Sequence, residues 1–173
     1  MTRVFVALGI ALGLAIGCGS KPPPVTTPPP TEPAPVAKIL VNVDEEGTGI
    51  LGFDAVAYHA DNKVTPGSGD NAVAHGGANY WFASPDHKAT FSAEPAKYAP
   101  QYGGYCAYAM SQGRLSPVMP EVFEIYEGQL LLFTNPEFKR LFDQDPAKNK
   151  ALADQNWPKL VEQHGKPAPV AAP

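Results

Sequence analysis

Between positions 38 and 164 the large apolar residues recur at two spacings, and each spacing predicts one kind of element. Ile39, Val41 and Val43 alternate with polar or mixed neighbours, which predicts a first strand ending at the polar turn Asp44 to Gly49. AVAY at 55–58 is a short apolar run, readable as strand or buried loop, and residues 60–71 have loop composition. AVAH and NYWFA flank Gly76-Gly77-Ala78, the sequence form of a hairpin with a glycine-containing turn. VFEIY and QLLLF, on either side of Glu127-Gly128, predict a second and clearer hairpin.

Helix signals lie between and after these strands. Ser84 is a capping residue, Pro85 suits the first helical position, and Asp86 favours the positive end of the helix dipole, so a helix starts here with Phe91 facing inward. Glu94-Pro95 restarts a short turn carrying Tyr98, and Pro100 stops it. Tyr102-Gly103-Gly104 is a tight passage, after which Cys106 to Gln112 reads as a short helix ended by Gly113, with a strand as the competing assignment. Asn135-Pro136 caps a helix whose Phe138, Leu141 and Phe142 share a face. Asp145-Pro146 starts another that carries Leu152 toward Trp157 and is limited or restarted at Pro158. Strands among short helices without βαβ alternation predict one α+β domain over 38–164, with a small, mostly antiparallel sheet and short helices packed around it.

The flanks have a different composition. MTRVFVALGIALGLAIGC has one cation, Arg3, and an apolar run too short to span a bilayer, which is the pattern of a secretory signal peptide over 1–17. The run ends in Leu14-Ala15-Ile16-Gly17-Cys18, which resembles the lipobox of bacterial lipoproteins and implies acylation of Cys18. Residues 18–37 are then a Pro/Thr-rich stalk, and GKPAPVAAP at 165–173 is predicted to be a disordered tail. The expected location is the bacterial cell envelope, with the domain anchored through lipid and facing the periplasm or exterior. Of 13 cations the leader holds only Arg3, leaving 12 against 17 acids and a formal charge of −5. Nothing in that balance suggests a nucleic-acid partner.

Cysteine usage narrows the chemistry. Acylation consumes Cys18, so Cys106 is the single thiol of a domain outside the cytoplasm, where disulfides ordinarily form. Such a cysteine is buried and inert, paired with another molecule, or kept for its sulfur chemistry. No Walker loop, dinucleotide fingerprint, HExxH, GxSxG or CxxC occurs, so no familiar enzyme class is indicated. Tyr102, Tyr105 and Tyr108 are expected to pack in the core with their hydroxyls satisfied. His59 and His75 are expected to face solvent, His164 belongs to the tail, and Met110 and Met119 are either gap-fillers or soft ligands.

Tyr80-x-Phe82-x-Ser84 followed by Phe91, Pro95 and Tyr98 resembles the YHS domain. The continuation YAPQYGGYCAYAMSQG, together with GFDAVAY, EGQLLLF and ADQNWPKL, resembles the longer bacterial family of YHS domain-containing (seleno)proteins over roughly residues 39–160. In that family some members carry selenocysteine at the position of Cys106, which implies sulfur-type chemistry there. Short YHS domains bind metal through cysteines just after the aromatic strand. Those positions are Ala83 and His87 here, so the cysteine pair is absent and His87 is the one candidate ligand carried over.

The combined expectation is a lipid-anchored envelope module binding a soft metal ion such as copper through Cys106, with His87 and Met110 as further ligands. Two alternatives stand beside it. One is a single-cysteine thiol redox protein that draws its resolving thiol from a partner; the other is a non-catalytic scaffold or partner-binding domain with a structural cysteine.

Overall fold

Side-chain caps and tight turns order the elements of the computed structural model, which describes residues 37–168. The leader, Cys18 and the stalk up to residue 36 lie outside the described residues, as do residues 169–173. In chain order the elements are β1 (Lys38–Ile39), α1 (Ala55–Ala60), β2 (Ser68–His75), β3 (Ala78–Phe82), α2 (Pro85–Ala93) and α3 (Pro95–Tyr98). They continue with α4 (Ala107–Ser111), β4 (Met119–Tyr126), β5 (Gln129–Phe133), α5 (Pro136–Phe142), α6 (Pro146–His164) and β6 (Lys166–Pro167). The architecture is a single α+β domain whose strand pairs are all antiparallel: β1 with β6, β2 with β3, and β4 with β5.

The β4–β5 hairpin stands in the middle because QLLLF is apolar on both faces. Successive strand residues point to opposite sides. Leu130 and Leu132 accordingly join a cluster with Val56, Tyr58, Tyr80, Phe82 and Phe91, whereas Leu131 and Phe133 join another with Cys106, Met110, Phe142, Ala153 and Leu160. Tyr58 ties the first cluster to β4, its hydroxyl donating to the Pro120 carbonyl at 3.0 Å and its ring meeting Phe123 edge-on at 4.7 Å.

The two halves of the domain repeat one plan at an offset of 51 or 52 positions. A left-handed turn opens each, with φ of 52°, 51° and 82° at Ile50-Leu51-Gly52 and 54°, 59° and 81° at Tyr102-Gly103-Gly104. A capped short helix follows, α1 after Asp54 and α4 after Cys106, then a hairpin with the same irregularity. Its register shifts between Ser68 and Ala72 in one half and between Met119 and Phe123 in the other. Phe82, Pro85, Lys88, Phe91, Pro95, Ala96 and Lys97 then match Phe133, Pro136, Lys139, Phe142, Pro146, Ala147 and Lys148 residue for residue.

Several sequence expectations hold. Ser84 accepts from the His87 amide and caps α2, Asn135 accepts from the Phe138 amide and caps α5, and Cys106 begins α4. Others are corrected. AVAY is helical, because the Asp54 carboxylate caps it and alanine favours that state. The predicted strand 39–43 shortens to Lys38–Ile39, with Val43 in an isolated bridge to Gly49, and β2 begins inside the predicted loop, at Ser68. The expected antiparallel pairing is distributed over three two-stranded sheets, β1–β6, β2–β3 and β4–β5. Pro158 neither ends nor restarts α6, which buries Asn149, Ala153 and Leu160 rather than Leu152. The supposed tail starts with β6, which pairs with β1.

Candidate functional site

Cys106 follows the left-handed turn at Tyr102-Gly103-Gly104 and is the N-cap of α4. Its amide donates to the Ser116 carbonyl at 3.1 Å and its Sγ accepts from the Ala109 amide at 3.5 Å. The residue is 0 % exposed, and its surroundings are aliphatic and aromatic: Met110, Leu131, Phe133, Phe142 and Ala153. Sulfur in such a shell packs as a small hydrophobe while meeting one orphan helix amide. Met110, one turn further along α4, is equally buried in the same cluster, and its amide donates to the Cys106 carbonyl at 2.9 Å.

His87 is held elsewhere, in the first turn of α2. Its Nδ1 lies 2.7 Å from Asp54 Oδ2, and its side chain remains 26 % exposed while that of Asp54 is fully buried. Asp54 accepts from three backbone amides, Val56 at 2.9 Å and Ala57 at 3.3 Å on Oδ1 and Ala83 at 2.8 Å on Oδ2. A carboxylate that already accepts three bonds takes its fourth as an acceptor, so Nδ1–H of His87 donates and Nε2 is the ring nitrogen left for other partners.

The structure thus puts Cys106 and Met110 in one core cluster and His87 outside it, at the start of α2, with the Asp54 carboxylate as its partner. Among the described residues no group of three or more His, Cys, Asp or Glu side chains is arranged to hold a metal ion. Cys18 lies outside the described residues.

Asp54 is the residue that sequence reading missed. The signal was available in the repeat, because GFDAVAY and GYCAYAM align Asp54 with Cys106, and the offset of 51 aligns His87 with Phe138. Cys106 and Phe138 therefore stand where the first half keeps an acid and an imidazole. A cap needs only an acceptor, and the second half shows that the fold accommodates sulfur and a phenyl ring at these two places.

The remaining candidates also change character. His59 does not simply face solvent: its ring meets Tyr98 edge-on at 5.3 Å and its buried Nε2 has no partner. Burial, then the nearby Lys97 ammonium, lower its pKa. His75 packs edge-on against Phe91 at 5.8 Å. The Tyr102 hydroxyl donates to Asp154 at 2.9 Å, and its pKa is pushed up first by burial and then by that carboxylate; burial alone pushes Tyr80 up to about 12. Met119 is 46 % exposed rather than in the core. Compared with protein-family models, curated proteins and solved structures, the chain matches none.

Proposed function

We propose that this chain is a non-catalytic binding domain with a structural cysteine, held at the bacterial envelope by an acylated Cys18 and a proline-rich stalk. The observation that carries the reading is the position of Cys106: fully buried, walled by apolar side chains, its sulfur used as the cap of α4. Soft-metal capture and thiol exchange both require an accessible sulfur. Open space of ligand size lies elsewhere, in a cleft of about 440 Å³ beside residues 39–44.

A second reading, a soft-metal site such as Cu(I), is favoured by one observation: Cys106 and Met110 present two sulfurs one turn apart in one cluster. Titration of the chain with Cu(I), run in parallel with thiol alkylation, separates the readings. A binding domain gives no stoichiometric Cu(I) uptake and alkylation only as fast as the protein unfolds. One equivalent of Cu(I), lost in Cys106→Ser, establishes the metal reading instead. Fast alkylation or sulfenic acid formation without metal affinity establishes the redox one.

A further inference from the structure

Residues 38–44 cross the domain as a strap. Ile39 pairs with Lys166, the Asn42 amide donates to the Gly103 carbonyl at 2.8 Å, and Asn42 Nδ2 donates to the Gly104 carbonyl at 3.1 Å. Its apolar side chains, Ile39, Leu40, Val41 and Val43, are nevertheless only half-buried. Val41 and Val43 pack on one side against the cluster of Tyr80 and Phe91, and Leu40 on the other against the Cys106 cluster. The parts of these side chains left uncovered line the 440 Å³ cleft together with Ile39, Leu115 and Tyr105.

The two ends of this cleft differ in charge. His164 and Lys166 stand at the end where Ile39 pairs with β6, and Asp44 stands five residues further along the strap. Asp44 Oδ1 is occupied by the amides of Glu46 at 3.1 Å and Thr48 at 2.7 Å, which fixes the carboxylate with Oδ2 outside those bonds. An extended chain rises about 3.3 Å per residue, so the ends are at most roughly 16 Å apart. That is the span of an extended peptide of about four or five residues.

We infer that this cleft binds a short apolar peptide in extended form, with its free C-terminal carboxylate at Lys166 and His164 and its free N-terminal ammonium at Asp44. The inference rests on the binding-domain reading and names its ligand class. The apolar middle takes the side chains, and the opposite charges at the two ends select a zwitterion. A fatty carboxylate satisfies only the Lys166 end and sets its alkyl tail against the Asp44 carboxylate.

The test is methyl NMR of the full chain with three probes: Ala-Val-Leu-Val-Ala with free termini, the same peptide acetylated and amidated, and decanoate. The free peptide is expected to shift the methyls of Val41, Val43 and Leu115 and to bind at least about tenfold tighter than the blocked form. Lys166→Gln and Asp44→Asn, which keeps Oδ1, are each expected to weaken it several-fold. Leu115→Trp, at a half-buried position beside the Cys106 cluster, is expected to fill the cleft and abolish binding while the circular dichroism spectrum stays native. Absent shifts at millimolar peptide, equal affinity for the blocked peptide, or tighter binding of decanoate overturns the inference. If the peptide fails while Cys106 stays inert toward alkylation, the ligand class falls and the binding-domain reading stands. A reactive Cys106 removes that reading whatever the peptide does.

Discussion

His87 Nδ1 meets Asp54 Oδ2 at 2.7 Å, and this bond joins the start of α2 to the cap of α1. Asp54 is the hub of the junction, since the same carboxylate also holds the amides of Val56, Ala57 and Ala83. Replacing it by alanine removes a cap and strands two or more buried donors. Asp54→Ala is expected to lower stability by about 2–4 kcal/mol, whereas His87→Phe, matching Phe138 of the other half, is expected to cost less than half as much. Urea denaturation of the two variants checks the ranking, and equal losses would make the imidazole a fold element.

The repeat also allows the pair to be moved. Cys106→Asp alone places a carboxylate in an apolar cluster with Phe138 where its partner should be. A loss of roughly 3–5 kcal/mol is expected, as for a buried charge without its counterpart. Adding Phe138→His is expected to recover at least about 1 kcal/mol of that loss, read as the coupling energy of a double-mutant cycle. Strict additivity would show that the two halves differ more at this junction than their shared plan implies.

His59 makes stability depend on pH. Its folded pKa lies below the 6.5 of an ordinary histidine, with burial the larger cause and Lys97 the smaller. The unfolded chain therefore takes up the proton first. The contribution from the neutral ring is complete above pH 6.5, declines as pH falls through that value, and levels off once the folded pKa is passed. Melting temperatures from pH 8 to pH 5 should show this decline, and His59→Phe, which keeps an aromatic ring against Tyr98, should flatten it. A profile unchanged by the substitution assigns the dependence to another group.

Gly103 lets the strap pass. Its φ is +59°, and a Cβ there would strike the Leu40 carbonyl oxygen. Gly128 also has a positive φ, +76°, but open space around its missing Cβ. Gly128→Ala is expected to cost about 1 kcal/mol from the left-handed backbone alone. Gly103→Ala is expected to cost at least about twice that. It should also speed hydrogen exchange at the Asn42 amide, which the Gly103 carbonyl accepts. Slow exchange at Asn42 in Gly103→Ala would mean that the strap is held by β1 and β6 instead.

Local signals in the chain determined the elements whose forces are local. Ser84-Pro85, Glu94-Pro95, Asn135-Pro136 and the Glu127-Gly128 turn act within a few residues, and the caps, helix starts and hairpin they imply all form. The α+β class follows from their order, and the repeat of 51 residues was legible too, in Phe82 to Lys97 against Phe133 to Lys148.

Tertiary structure decided what depends on contacts far apart along the chain. Cys106 is isolated in sequence, yet the closure of Leu131, Phe133 and Phe142 around it leaves its sulfur fully buried at the cap of α4. His87 and Asp54 are 33 residues apart, and only the packing of α1 against α2 makes them a pair. Lys166 reads as tail by composition, but one ladder with Ile39 brings it to the strap and gives the cleft its charged end. Burial and pairing are properties of the closed fold, because each requires the desolvation that distant elements supply together.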